Sequence, residues 1–211
     1  LIVNERCTAF INSLNTGNTP FLNEIEKNAR QTWVPIIRKE TQTLLKFLLA
    51  EHRPETILEI GAAVGFSAIL MAQYSEAQIT TIENYDVRIP IAKENFEKSG
   101  FKDRITLLEG NAEEILPTLN GSYDMIFIDA AKAQYPYYLE EAKRLLKKGG
   151  LLVADNCLQD GDVFESKFAV NRRNRTIHKR MRDFLYSVTH DAEFSASVLP
   201  VGDGVTLAVR I

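Results

Sequence analysis

Five short apolar runs recur along this 211-residue chain: "TILEI" at 56–60, "QITTI" at 78–82, "RITLLE" at 104–109, "YDMIFID" at 123–129 and "GLLVAD" at 150–155. Segments of helical length lie between them, among them 86–99 and 135–147. Continuous apolar strands alternating with helices call for a parallel sheet covered on both faces. The predicted fold is therefore α/β, a doubly wound, mostly parallel sheet. Two later runs, "FSASVLP" and "GVTLAVR", are joined by Val201-Gly202-Asp203-Gly204, whose turn chemistry predicts an antiparallel hairpin at the C-terminal edge. The helix from Tyr135 is expected to stop at Lys147-Lys148-Gly149-Gly150, with cations on the negative helix end and Gly as cap.

One domain over 1–211 is the default for this length. It divides into an N-terminal helical segment, 1–53, and the sheet, 54–211, with a basic helical insertion at about 160–190. "ETQTLLKFLLAEH" places Leu44, Leu45, Leu48 and Leu49 on one helical stripe, and Pro54 closes that segment.

Ligands of such sheets sit outside the carboxyl ends of the strands. Asp129 and the pair Asp155-Asn156 fall at two of those ends. Two carboxylates and an amide oxygen are hard ligands that suit Mg²⁺ or Mn²⁺, and no His or Cys accompanies them. Taken singly, Asp129 also reads as a helix cap and Asp155-Asn156 as a turn. Lys132 follows Asp129 by three; beside a dication its ammonium form is disfavoured, which suits a base.

The first strand runs into Glu59-Ile60-Gly61-Ala62-Ala63-Val64-Gly65-Phe66-Ser67. Small residues let a ligand approach the backbone, but the spacing is Gly-x-x-x-Gly and lacks the middle glycine that admits a pyrophosphate. Glu83 ends the second strand, placed for ribose hydroxyls, or else for a helix cap or solvent. Glu59 could pair with an ammonium group. A nucleoside carrying an amino acid and no pyrophosphate describes S-adenosylmethionine.

The net charge of −3 conceals an asymmetry: 166–182, "SKFAVNRRNRTIHKRMR", holds seven Lys or Arg and no acid, leaving 18 basic against 28 acidic residues elsewhere. Such a run is either a solvated helix face or a contact for phosphate backbone. Two cysteines, without zinc-finger spacing, fit a reducing cytoplasm. No apolar run approaches the ~18 residues of a membrane span, and no signal peptide is visible.

"LEIGAAVGFSA" resembles the first motif of class I methyltransferases, in the metal-dependent catechol and caffeoyl-CoA O-methyltransferase branch. The resemblance runs from about residue 33 to the end through "TIE", "EGNAEEILP", "FIDAAK", "ADN" and "GDGV". It implies a Rossmann-like methyltransferase fold and a homodimer. Glu59, Gly61, Ser67 and Glu83 would hold the methionine and ribose parts of S-adenosylmethionine. Asn111 and Ala112 would flank the adenine, Ile36 would offer backbone to the methionine end, and Asp129 would belong to both the cofactor and the metal set. Asp129, Asp155 and Asn156 would bind the metal, and Lys132 would be the general base.

"NRRNRTIHKRMRDF" is similar to the arginine-rich segment of family members that methylate 5-hydroxyuridine at the tRNA wobble position, giving 5-methoxyuridine. On that reading Arg172, Arg173, Arg175, Lys179 and Arg180 would contact the anticodon loop. Tyr135, Tyr137 and Tyr138 either stack on a base or pack a helix face. Catechol enzymes of the family carry a C-terminal carboxylate for the second hydroxyl, and the register places Thr206 there, which counts against catechol. The tRNA reaction is thus the first expectation, with a small catechol-like or phenolic acceptor as the alternative.

Overall fold

The computed structural model describes residues 3–211. Seven strands form one sheet: β1 (Thr56–Ile60), β2 (Gln78–Glu83), β3 (Ile105–Glu109), β4 (Tyr123–Ile128), β5 (Leu146–Ala154), β6 (Phe194–Leu199) and β7 (Val205–Arg210). Their order is β3-β2-β1-β4-β5-β7-β6. The first five are parallel, and β7 runs antiparallel to both β5 and β6. The expected hairpin at the C-terminal edge is present.

Side chains of successive strand residues leave on opposite faces, so each continuous apolar run feeds two cores. Ile57, Met125, Phe127 and Val153 pack toward one side with Leu22, Leu45 and Ile69. Leu22, Leu45 and Ile69 come from α2 (Pro20–Gln31), α3 (Lys39–His52) and α4 (Phe66–Tyr74), all of which follow α1 (Glu5–Ser13). Leu58, Ile60, Ile126, Ile128 and Leu152 pack toward the other side with Leu139 and Phe184. α5 (Ile89–Ser99) joins the first side through Ala92 and Phe96, while the short α6 (Ala112–Ile115), α7 (Tyr135–Leu145) and α8 (Arg175–His190) cover the second. Leu45, Leu48 and Leu49 are buried as the stripe requires, while Leu44 is half-buried. Arg53, left-handed at φ 50°, ends α3 just before Pro54.

Two boundaries differ from the sequence expectation. Lys147-Lys148-Gly149-Gly150 does not cap a helix: α7 ends at Leu145 and these residues open β5. The pairing jumps from Tyr123↔Leu146 to Met125↔Leu151, so the extra residues form a bulge. Gly149 supplies its positive φ of 79°, and Lys147 is tied to Asp124 at 2.6 Å. The basic segment is helical only from Arg175; before it lie 3₁₀ turns at Gln159–Phe164 and Arg172–Asn174. α8 buries Met181, Phe184 and Val188, which makes it a covering helix of the sheet. No helix among the described residues is long and apolar enough to cross a membrane, and Cys7 and Cys157 are both free.

Candidate active site

The strand order reverses between β1 and β4, and a cleft of about 680 Å³ opens at their carboxyl ends. Ile36, Gly61, Ser67, Glu83, Asn111, Ala112, Asp129, Lys132 and Asn156 all line it. Glu59 and Asp155, next to the lining residues Ile60 and Asn156, are fully buried.

The β1–α4 turn is shaped by close approach. Gly61 and Ala62 N–H both donate to Ile82 O at 3.0 Å. Gly61 takes φ 104°, and a Cβ there would run into the Asp129 carbonyl. Only glycine lets the end of β1 pass this near to the end of β4. Ser67 lies in the first turn of α4.

Glu83 is buried, and its carboxylate accepts from Ala63 N (2.7 Å), Asn84 N (3.0 Å) and Tyr85 N (2.9 Å). It is neither solvated nor a helix cap, since α5 starts after Arg88. Asn111 caps α6 by accepting from Glu113 N at 3.1 Å. Glu59 accepts from the Thr81 hydroxyl, while its Oε1 has no hydrogen-bond partner. Burial pushes the Glu59 carboxyl up to about 7, with the Ser67 and Thr81 hydroxyls pulling it down. A buried carboxylate oxygen without a donor fits a cationic ligand group. The set therefore fits the amino-acid and ribose parts of S-adenosylmethionine.

Asp129 caps no helix either, because Ala131 and Gln134 hold the capping positions that follow. Its Oδ1 lies 3.0 Å from Lys132 Nζ, and Asn156 Oδ1 and the Tyr135 hydroxyl each lie 2.9 Å from the same nitrogen. The Tyr135 hydroxyl itself donates to Asp155 O at 2.8 Å, which leaves its oxygen to accept from the lysine. Asp155 Oδ1 accepts from Asn156 N at 2.8 Å and Thr41 Oγ1 at 3.3 Å, and its Oδ2 is buried without a partner. Burial, then the charge of Asp129, pushes Asp155 up to about 7. No group of three or more His, Cys, Asp or Glu is arranged for a metal among the described residues. The candidate set is two carboxylates and one amide, all hard oxygen donors. An orphaned buried carboxylate oxygen beside two oxygens that already converge on a cation fits a small divalent ion.

Asp203 stands at the same rim. Its Oδ2 is 3.5 Å from Asn156 Nδ2, and its Oδ1 is 2.7 Å from Arg38 Nη2, an ion pair without ideal hydrogen-bond alignment. Arg38 also reaches Asp160 Oδ1 at 2.9 Å. Burial raises Asp203 to about 6, whereas Asp160 is held below the usual range by its neighbours Asp203 and Arg38. Thr206 is fully buried in β7, so the C-terminal carboxylate at the cleft is Asp203, three residues earlier.

Sequence reasoning took Tyr135 only as a stacking or packing residue and Asp203 only as part of a turn, and missed Arg38 and Thr41 altogether. The Lys132–Tyr135 spacing carried a signal, since residues three apart meet on a helical turn. Arg38 and Thr41 carried none, being more than a hundred positions from their partners.

The basic run does not enter the cleft. Arg175, Lys179 and Arg180 line a separate groove with Lys167, against Ala133 and Gln134. Arg180 donates to Ala133 O at 2.6 Å, Arg175 to Val170 O at 3.3 Å, and Lys179 pairs with Asp183 at 2.7 Å. Arg172 and Arg173 are exposed. Tyr135 and Tyr138 are buried, Tyr135 edge-on to Phe184 with centroids 5.3 Å apart, so both pack a helix face. Tyr137 donates to Glu113 O at 3.1 Å.

A doubly wound sheet with an acid closing β2 and oxygens converging on a lysine at β4 and β5 defines a Rossmann-like, nucleoside-binding α/β protein. Comparison with known proteins narrows this. A family profile described as O-methyltransferase matches residues 12–211, and the chain belongs to that family. Caffeoyl-CoA O-methyltransferase 1 of Eucalyptus globulus is 32% identical over 202 residues, covering 88% of this chain and 79% of that one. Catechol O-methyltransferase of Niastella koreensis is 35% identical over 127 residues, covering 57% and 58%. Among solved structures, an S-adenosylhomocysteine-bound methyltransferase of Podospora anserina superposes with a TM-score of 0.88 at 28% identity, covering 100% of this chain and 98% of that one.

Proposed function

We propose that this chain transfers a methyl group from S-adenosylmethionine to a hydroxyl of a small phenolic acceptor with a neighbouring oxygen, of the catechol or caffeoyl type. The observation that carries this reading is the surrounding of Lys132. An ammonium has three hydrogens and no lone pair, and here three acceptors meet it: Asp129 Oδ1, Asn156 Oδ1 and the Tyr135 oxygen. Lys132 Nζ, as the neutral amine, takes the proton of the acceptor hydroxyl, and these three oxygens hold the ammonium that forms. Asp129, Asp155 and Asn156 would hold Mg²⁺ or Mn²⁺, which supplies Lewis acidity toward the two acceptor oxygens. S-adenosylmethionine supplies the electrophilic methyl. Glu59 receives its ammonium group, Glu83 its ribose hydroxyls, Gly61 admits its close approach, Asn111 and Ala112 flank its base, and Ile36 and Ser67 bound its methionine end.

The relatives' names support small acceptors, and so does the internal pairing of Arg175, Lys179 and Arg180. A cytoplasmic location accords with two free cysteines. Exposed Phe10 and Ile11 of α1 and its C-cap Leu14, with α1 touching the α3 that carries exposed Phe47, support a homodimer.

The test is methyl transfer from labelled S-adenosylmethionine to a panel of catechols and caffeoyl-CoA, and to tRNA carrying 5-hydroxyuridine, each with and without EDTA. EDTA-sensitive label in the small acceptors is expected, and Lys132→Met should lower kcat by roughly 10²–10⁴-fold with cofactor affinity kept. Label in tRNA alone would replace this acceptor with the wobble nucleoside. Transfer undiminished by EDTA would remove the metal.

A further inference from the structure

We propose that Arg38, Thr41 and Asp203 form an outer shell that orients the two β5-end ligands, Asp155 and Asn156, from the first turn of α3. The inference rests on the metal reading above and assigns work to a helical segment remote in sequence from the β5 end.

Two arms reach the site. Thr41 is fully buried, and its hydroxyl donates to Asp155 Oδ1, the same oxygen that accepts from Asn156 N. Those two donors occupy Oδ1 and leave Oδ2, buried and unpartnered, to face a ligand. The second arm acts on the amide of Asn156, whose backbone is left-handed at φ 55°. Its two ends are told apart by chemistry. The Lys132 ammonium can only donate and the Asp203 carboxylate can only accept, so Oδ1 turns to the lysine and Nδ2 to Asp203. Asp203 thereby holds the amide oxygen toward the point where the Asp129 carboxylate also converges.

A third carboxylate near Asp129 and Asp155 would ordinarily be repelled. Arg38 offsets this with a guanidinium 2.7 Å from Asp203 Oδ1 and 2.9 Å from Asp160 Oδ1. Arg38 and Thr41 lie three residues apart, on one side of the start of α3. The β6–β7 turn is cut to meet them: Gly202 has φ 57°, and a Cβ there would press on the Thr41 hydroxyl and touch Arg38. Outer partners of this kind fix ligand geometry before the ion arrives, and their loss typically costs 10–100-fold in metal affinity.

Mn²⁺ titration followed by electron paramagnetic resonance tests this on the full chain, beside cofactor binding without metal and melting of the metal-free protein. Thr41→Val, nearly isosteric, and Asp203→Leu should each weaken Mn²⁺ by roughly tenfold or more. Asp203→Asn, which keeps an acceptor oxygen, should recover most of the Asp203→Leu loss, and metal-free cofactor affinity should hold. In an Asn156→Asp background, which has no amide NH₂ to orient, Asp203→Leu should cause no further loss. If Asp203→Leu does not fold, Thr41→Val and Arg38→Gln decide the matter. Unchanged Mn²⁺ affinity in Thr41→Val and in every folded Arg38 or Asp203 variant would overturn the outer shell while leaving the metal site standing. Absence of Mn²⁺ binding by the unaltered chain would overturn the metal reading and the outer shell together.

Discussion

Glu59 is the residue at which burial and ligand binding oppose each other most directly. Its carboxyl sits in the core with one oxygen unpartnered, and burial raises it to about 7 from an ordinary 4.5. The folded chain therefore binds this proton more tightly than the unfolded chain. The resulting stability is fully present below pH 4.5 and is lost as pH rises through about 7, an effect of about 3 kcal/mol. Urea melts of the cofactor-free protein should show this decline, and Glu59→Gln should make it shallower, leaving the part that the raised Asp155 and Asp203 contribute. Cofactor affinity of the variant should fall roughly 10–100-fold, because the charged acceptor is gone. Parallel pH profiles for the two proteins would show that Glu59 titrates normally and that the pocket for the ammonium is elsewhere.

The β1–α4 turn shows how an element boundary makes the cleft. Gly61 combines a positive φ with a carbonyl neighbour that no side chain can clear. Gly100, which ends α5 at φ 79°, has open space around it. Gly61→Ala should lower the melting temperature by roughly 5–10 °C, since strain and steric contact add to about 2–3 kcal/mol. Gly100→Ala should cost only about 1 kcal/mol. Equal shifts in calorimetry would mean that the approach of β1 to β4 is not what the glycine protects. At this scale the pattern of strands was readable because burial on both faces needs unbroken apolar residues. The start of β5 was not, since Lys-Lys-Gly-Gly satisfies a helix C-terminus and a bulge equally well.

For the molecule as a whole, an apolar surface is left open where α1 meets α3. Leu14, the C-cap of α1, is 67% exposed and Phe47 of α3 64%, and the two helices touch each other. Burying such a patch against its copy removes apolar area from water. Light scattering should give twice the chain mass, and Leu14→Glu with Phe47→Glu should halve it without altering cofactor affinity. A monomeric unaltered chain would leave the patch without a second copy as its cover.

The residues alone carried the sheet, the strand ends that matter and the identities of Glu59, Glu83, Asp129, Lys132, Asp155 and Asn156. These are local signals: apolar runs, turn glycines, and a polar residue where each run stops. The amino acids alone did not separate a phosphate-binding run from a helix that covers the sheet, because both are basic and periodic. Tertiary structure adds that α8 covers the sheet with Met181, Phe184 and Val188, that Arg175, Lys179 and Arg180 have partners within the fold, and that Arg172 and Arg173 stand exposed. It also decided that Asp203 rather than Thr206 stands at the cleft, and that Thr41 reaches Asp155, and Arg38 reaches Asp160, across more than a hundred residues. Periodicity registers which face of an element is buried. Which oxygen meets which nitrogen depends on through-space distances that exist only once the elements have packed.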